Sequence, residues 1–210
     1  MSKTLNFVVI EAKPLAAALK LANAIVEVRN TIPILNDVRL NYSNKGLTIE
    51  ATDLDLQATI NVDEIDGSGT WSTCIPARYL AAVASAAGTT ALRIEPSQNE
   101  IINEKTSSKR IEHSTRITAG EATYDIQANP AEDFPTISGE KAGRIERFTN
   151  GHFAASLKKV AACISTEETR YYLNGVNWAS TDKGKRFAAT DGHRLALCRY
   201  ALNEGETPFS

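Results

Sequence analysis

The spacing of hydrophobic and polar positions over residues 1–62 predicts one strand, one helix and then three strands. Residues 4–10 form a short apolar run that is typical of a strand. Pro14 then falls in the first turn of a helix, and apolar residues recur at helical spacing from Leu15 to Val26. Beyond that helix, apolar and polar residues alternate as in half-buried strands over 38–42, 47–51 and 54–62.

The same order of elements recurs over the next part of the chain. The pattern predicts a loop over 66–69, a strand over 71–75 and a helix that Pro76 opens. Three more strands are predicted over 91–94, 109–117 and 123–128. Residues 1–130 are therefore expected to form two βαβββ halves of an α+β domain, with helices on one face of antiparallel sheets.

A longer repeat is visible in the amino-acid sequence. Residues 15–58 align with 153–196 without a gap at a shift of 138 positions, since 153 − 15 = 138. Of these 44 aligned positions 15 are identical, and they include Thr52-Asp53 against Thr190-Asp191.

The repeat predicts the domain organisation. We expect a first domain over residues 1–140, a polar linker over 141–147 and a second domain over 148–210. The counterpart of residues 73–140 is missing from the second domain, which would leave a sheet edge and an apolar face uncovered. The chain is therefore expected to be a piece of a longer protein, or to be completed by a partner.

Composition narrows the class of protein. The net charge is −2, which excludes a wholesale basic nucleic-acid binder but leaves room for a local basic face. No apolar run approaches the ~20 residues that a bilayer span needs, so we expect no membrane association. Three cysteines lie far apart without a CxxC pair, which argues against a disulfide framework and favours the cytoplasm.

One string could carry catalysis. Asp191 and His193 have a spacing that can bind a metal ion, and they would suit a metal-assisted hydrolase. The first copy, however, has Thr52-Asp53 where the second has Thr190-Asp191, so a turn between strands is the simpler role for the pair. The chain has no phosphate-binding loop and no dinucleotide fingerprint. We therefore expect no enzymatic activity, no cofactor and no metal.

The predicted helices carry cations, whereas many carboxylates fall on the strands and loops. Two interpretations remain open: an ordinary solvated helix surface, or a helix layer that faces phosphates. The cations on or next to helices are Lys13, Lys20, Arg29, Arg78, Lys158 and Lys159.

Six strings carry a resemblance to a known family. Four of them resemble the first domain of the bacterial DNA polymerase III beta subunits, the replicative sliding clamps: Asn30–Leu35, Ala51–Leu54, Pro76–Arg78 and Asp133–Pro135. Thr166–Gly175 and Ala189–Ala196 resemble the second domain of that family. The resemblance implies the DNA-clamp fold and a homodimeric ring of three-domain subunits, with helices lining the hole. It also implies a non-catalytic processivity factor of DNA replication.

The resemblance implies partners as well. They are double-stranded DNA, bound without regard to sequence, the polymerase III catalytic subunit, the clamp loader, and repair polymerases that carry hydrophobic peptide motifs. A truncated, clamp-like peptide-binding regulator that does not encircle DNA is an alternative.

The same resemblance assigns roles to individual residues. Arg29, Arg78, Tyr171 and Tyr172 would contact DNA, and Tyr124 and Ile126 would lie in the dimer interface. Tyr171 and Tyr172 are expected at the start of a strand, with their rings on opposite faces. Residues 103–116 are expected to be an unusually long connection between strands. The pocket for partner peptides would be formed by Leu173, Thr190, Gly192, His193, Arg194 and Leu195.

Overall fold

The computed structural model describes residues 6–26, 31–102, 109–137, 151–181 and 184–200. The chain divides into two compact units, Met1–Glu140 and Lys141–Ser210, which are called unit 1 and unit 2 below. Arg29 and the predicted linker over 141–147 lie outside the described residues. Within the described ranges, no helix is long and apolar enough to cross a bilayer.

Unit 1 consists of two antiparallel sheets and two helices. Its helices are α1 (Ala12–Ala22) and α2 (Ala77–Ala87), and two short 3₁₀ helices span Pro33–Asn36 and Ala131–Asp133. Its strands are β1 (Phe7–Glu11), β2 (Asp37–Ser43), β3 (Gly46–Thr52), β4 (Gln57–Val62), β5 (Asp66–Ser68), β6 (Trp71–Pro76), β7 (Ala91–Ile102), β8 (Lys109–Ala119) and β9 (Ala122–Ala128).

The two predicted βαβββ halves are confirmed, but they exchange their first strands. The four-stranded sheet has the order β4-β3-β2-β6, and the five-stranded sheet has the order β5-β1-β7-β8-β9. Strand β1 therefore joins the strands of the second half, and β6 joins those of the first. This exchange makes unit 1 one domain rather than two.

The two helices of unit 1 pack against each other and against the sheets. Helix α1 buries Leu15, Ala18, Leu19 and Ala22, which recur at helical spacing. Helix α2 buries Ala77, Leu80, Val83 and Ala84 in the same manner. Several of the buried side chains are alanines, so the two helix backbones can approach closely.

Two element boundaries predicted for the first half are wrong. Helix α1 ends at Ala22, where the predicted pattern continued to Val26. The pattern continues because Ile25 and Val26 still pack against the core from a turn. The strand predicted over 54–62 begins only at Gln57, because residues before it form a hydrogen-bonded turn.

One segment expected to be a loop is a strand, and one predicted strand is longer than expected. Asp66–Ser68 is strand β5, which pairs with β1. Its three residues are not apolar, so the hydrophobic pattern of the sequence does not reveal this strand. Strand β8 begins at Lys109 and confirms the strand predicted over 109–117, so the connection expected over 103–116 is not irregular from Lys109 onwards. Strand β7 continues to Ile102, beyond the predicted 91–94, because most residues of its second half are polar and give no hydrophobic signal for a strand.

Unit 2 has one helix, α3 (His152–Val160), on an antiparallel sheet of order β10-β11-β12. Two 3₁₀ helices, Ala161–Cys163 and Glu168–Leu173, lie between α3 and the sheet strands in sequence. The strands are β10 (Asn177–Thr181), β11 (Gly184–Thr190) and β12 (Leu195–Tyr200). Strands β11 and β12 begin 138 residues after β3 and β4, since 184 − 46 = 138 and 195 − 57 = 138. The repeat in the amino-acid sequence is thus also a repeat in the structure.

Candidate partner-binding and DNA-contact sites

The turn between β11 and β12 holds most of the predicted pocket residues. Thr190 Oγ1 accepts a hydrogen bond from Gly192 N at 3.1 Å and donates one to the carbonyl oxygen of Arg194 at 2.7 Å. Asp191 Oδ1 accepts the backbone N–H groups of His193 and Arg194, both at 3.0 Å. The side chains of His193 and Arg194, which follow Gly192, are exposed on this hydrogen-bonded turn.

Unit 1 contains the same turn between β3 and β4. Thr52 Oγ1 accepts the N–H of Leu54 at 3.1 Å and donates to the carbonyl of Leu56 at 2.8 Å. Asp53 Oδ1 accepts the N–H groups of Asp55 and Leu56. The Thr-Asp pair therefore builds the turn in both copies, as its recurrence in the sequence predicts.

The carboxyl group of Asp191 is fully engaged within its own turn. Arg194 Nε donates to Asp191 Oδ2 at 2.8 Å, while Oδ1 receives the two backbone N–H groups. These backbone bonds, followed by the Arg194 side chain, lower the pKa of Asp191 to about 2. Within the described residues, no group of three His, Cys, Asp or Glu side chains is arranged to hold a metal ion.

A second segment lies against this turn. A Cβ atom added to Gly192 would lie 2.9 Å from Arg170 Nη1, so the guanidinium group of Arg170 rests against that glycine. Arg170 Nε is also 3.2 Å from Glu167 Oε2, which helps to hold the arginine in place. The structure thus brings the 3₁₀ helix Glu168–Leu173 beside the turn. Arg170 is absent from the predicted site, and its place next to Tyr171 within the family-like string is the signal that could have found it.

The apolar members of the predicted pocket differ in burial. Leu173 is half-buried, and its carbonyl oxygen accepts the N–H of Ser165 at 3.1 Å. Leu195, the first residue of β12, leaves 67% of its surface exposed. An exposed leucine next to this turn is a surface that an apolar peptide side chain could cover.

Tyr171 and Tyr172 do not begin a strand, and that expectation is wrong. They lie in the 3₁₀ helix Glu168–Leu173 and are 79% and 71% exposed. Their rings meet edge to face, with centroids 5.9 Å apart. Both rings therefore face solvent, because a 3₁₀ helix does not alternate its side chains between two faces as a strand does.

Arg78 is exposed on α2 and folds over its neighbour. Its Nη2 atom donates to the hydroxyl of Tyr79 at 2.7 Å, and its guanidinium carbon lies 4.5 Å from the centre of the Tyr79 ring. The other described helix cations, Lys13, Lys20, Lys158 and Lys159, are exposed as well.

Tyr124 and Ile126 lie on β9, the last strand of the five-stranded sheet. Residues two apart on a strand point to the same face, so the two side chains share one side of this edge. Tyr124 is exposed, whereas Ile126 packs partly against the core.

Both units have antiparallel sheets backed by helices and the same hydrogen-bonded turn, and solved sliding clamps share this arrangement, the DNA-clamp fold. Residues 5–138 match the N-terminal domain of the DNA polymerase III beta subunit, and residues 148–208 match its central domain. The chain belongs to the DNA polymerase III beta subunit family, the beta sliding clamps.

Individual relatives agree with this assignment. The beta sliding clamp of Caulobacter vibrioides is 35% identical over 205 residues, covering 93% of this chain and 50% of the relative. That of Pseudomonas putida is 26% identical over 189 residues, covering 90% of this chain and 48% of the relative. The chain spans about half the length of the curated relatives it matches.

Solved structures share the fold. A Caulobacter crescentus beta sliding clamp superposes with a TM-score of 0.78 at 30% identity, covering 97% of this chain and 52% of the other. A Pseudomonas aeruginosa sliding clamp bound to griselimycin superposes with a TM-score of 0.81 at 24% identity, covering 94% of this chain and 50% of the other.

Proposed function

We propose that this chain supplies two successive domains of a sliding clamp, a non-enzymatic ring that encircles double-stranded DNA and tethers a DNA polymerase to it. The observation that carries the proposal is that both units match, in order, the first two domains of the beta subunit. A tether of this kind works by topological linkage, so it needs no reactive group.

For DNA contact we propose Arg78, Tyr171, Tyr172 and Arg29, of which Arg29 lies outside the described residues. The exposure of the other three side chains supports this role. A protein that slides needs contacts with phosphates rather than base edges, because base contacts would hold it at one sequence. Exposed lysines on α1 and α3 would add to a weak, salt-sensitive attraction.

For partner binding we propose the pocket predicted above, extended by Arg170. Leu173 and Leu195 would receive the apolar anchors of a peptide, and the turn Thr190–Arg194 would form the polar wall. The partners would be the polymerase III catalytic subunit, the clamp loader and repair polymerases. Support comes from the exposed leucine beside a rigid turn, and from a C. crescentus clamp solved with polyethylene glycol at a candidate beta-motif tethering region.

For assembly we propose that the β9 edge, with Tyr124 and Ile126, meets a second subunit of a homodimeric ring. An edge strand offers unpaired backbone N–H and C=O groups that another strand can satisfy. The partly buried Ile126 and the exposed Tyr124 would add apolar contact on one face of that junction.

The proposal is tested by comparing how well the protein stays bound to circular DNA and to linear DNA. The whole protein that contains this sequence would be loaded by its clamp loader onto a nicked circular plasmid, and the plasmid would then be cut once. We expect the protein to remain with the circle during gel filtration and to leave the linear DNA. Equal retention on circular and linear DNA would mean direct binding rather than encirclement, and would contradict the proposal. Arg78→Ala should weaken loading at low salt without lowering the melting temperature.

A further inference from the structure

We propose that the turn of unit 1 is a second peptide-docking surface, separate from the pocket of unit 2. It is formed by Asp53–Leu56 and is called the leucine turn below. Its occupant would be a short peptide segment with apolar anchors flanked by Lys or Arg. The inference goes beyond the proposed function, which assigns partner binding to unit 2 alone.

The backbone of the leucine turn gives the first argument. Leu54 has a φ of +80°, and its counterpart Gly192 has a φ of +90°; 192 − 54 = 138, the repeat shift. The hydrogen bonds of the two turns also correspond one by one. Glycine adopts this conformation without strain, whereas leucine pays for it in free energy. A strained residue at a site where the other copy uses glycine points to a role for the leucine side chain itself.

Burial within the fold does not account for that side chain. Leu54 is 49% exposed and Leu56 is 60% exposed, so the protein interior takes up only part of their apolar surface. The residue after Leu56, Gln57, accepts the N–H of Ile137 at 2.8 Å, and Ile137 is exposed as well. The turn thus displays two largely exposed leucines, and exposed apolar side chains that lie together are common at protein-binding surfaces.

Charge indicates the kind of peptide. In unit 2, Arg194 neutralises Asp191 through a bond of 2.8 Å. The counterpart of Arg194 is Leu56, and among the described residues neither Asp53 nor Asp55 pairs with a cation. The leucine turn is therefore acidic, whereas the turn of unit 2 carries His193 and Arg194. A segment with Lys or Arg beside its apolar anchors complements the first turn.

Fluorescence anisotropy with two labelled pentapeptides tests the proposal. The probes are fluorescein-Lys-Leu-Lys-Leu-Phe and its acidic counterpart fluorescein-Glu-Leu-Glu-Leu-Phe, titrated with the 210-residue chain. We expect saturable binding of the basic probe. In the Leu195→Ser variant, which lacks one anchor leucine of the unit 2 pocket, the acidic probe should bind more weakly than the basic one by about ten-fold or more. Similar affinity of that variant for the two probes, or no saturable binding of the basic probe, would overturn the proposal.

Variants locate the binding. Leu54→Gly combined with Leu56→Ser should weaken the basic probe by about ten-fold or more, because anchor contacts dominate such interfaces. Leu54→Gly alone keeps a backbone that glycine favours, so its melting temperature checks that the fold survives. The matched control is Leu195→Ser in unit 2, which should leave the basic probe unaffected.

The remaining outcomes decide between the two surfaces. Wild-type affinity in the Leu54→Gly, Leu56→Ser variant, or loss of binding in Leu195→Ser, would overturn the proposal. Retention on circular DNA does not depend on the leucine turn, so failure here and failure of the proposed clamp function can be told apart.

Discussion

The two turns of this chain share a backbone and differ in nearly every side chain they display. Thr52 and Asp53 make the hydrogen bonds that Thr190 and Asp191 make 138 residues later. In the three positions after this pair, unit 1 displays two leucines and an aspartate, whereas unit 2 displays glycine, histidine and arginine. The comparison teaches that the same two polar side chains fix the loop in both units, which leaves the three residues after them free to set its binding chemistry.

The cores of the two units also differ. Unit 1 buries a large apolar cluster that includes Leu15, Leu40 and Ile49. Within its described residues, the buried apolar cluster of unit 2 consists of Val160, Phe187 and Ala189. At one equivalent position, Leu47 of unit 1 and Lys185 of unit 2 are both 1% exposed. A lysine side chain thus occupies in unit 2 a place that a leucine of the apolar core occupies in unit 1.

The largest expected effect comes from truncating equivalent leucines on α1 and α3. Leu19 is fully buried, so Leu19→Ala should lower the free energy of unfolding of unit 1 by about 2–5 kcal/mol. Its counterpart Leu157 is only partly buried, and Leu157→Ala should cost unit 2 about 1 kcal/mol.

Urea unfolding followed by tryptophan fluorescence measures both losses. Trp71 reports on unit 1 in a Trp178→Phe background, and Trp178 reports on unit 2 in a Trp71→Phe background. Equal losses in the two units would show that the difference in core size does not govern their stability.

The hydrophobic pattern predicts the elements that bury side chains and misses those held by backbone pairing. Helix α1 is predicted because Leu15, Ala18 and Leu19 must face the core. Strand β5 and the second half of β7 are missed because hydrogen bonds between main chains require no apolar residue. Leu54 and Leu56 continue an alternating pattern through the turn, so the pattern extends β4 too far.

A smaller change in stability is expected from substitutions at the two turn residues with a positive backbone φ, Gly192 and Leu54. Gly192→Ala should destabilise unit 2 by about 1 kcal/mol, because alanine is strained at φ +90°. Leu54→Gly should change the stability of unit 1 by less than about 0.5 kcal/mol, since relief of strain offsets the greater freedom of glycine in the unfolded chain.

Thermal unfolding of Gly192→Ala and of Leu54→Gly, each against the parent chain, measures the two changes in stability. NMR of Gly192→Ala should also show a displaced Arg170 side chain, because the new Cβ would lie 2.9 Å from its Nη1 atom. A Gly192→Ala variant more stable than the parent chain would contradict this account of the turn.

The candidate site is only partly predictable from sequence. The turn built by the Thr-Asp pair can be predicted, because the pair recurs in the sequence at the repeat shift of 138 residues. The contact between Arg170 and Gly192 joins a 3₁₀ helix to a turn, and such a tertiary contact leaves no periodic signal. The exposure of both Tyr171 and Tyr172 is missed for a related reason, because a short 3₁₀ helix is not distinguished from a strand start by alternation alone.

The smallest effect concerns the charge that separates the two turns. Arg194→Leu places in unit 2 the residue type that Leu56 supplies in unit 1. It removes the side-chain bond to Asp191 Oδ2 but keeps the two backbone N–H donors, which contribute most to lowering the pKa of Asp191 to about 2. The pKa of Asp191 should therefore rise only part of the way towards its ordinary value of about 3.9.

The sign of the accompanying stability change follows from proton binding. Because the folded-state pKa of Asp191 is lowered, its ionised form stabilises the fold above about pH 4, and this contribution is lost as the pH falls towards 2. In Arg194→Leu the contribution should be smaller and should disappear at a higher pH. A titration of the Asp191 carboxyl carbon by NMR, in the parent chain and in the variant, measures both pKa values. An unchanged pKa would mean that the Arg194 side chain does not hold this carboxylate in solution, and a return to the ordinary value would mean that the backbone donors do not.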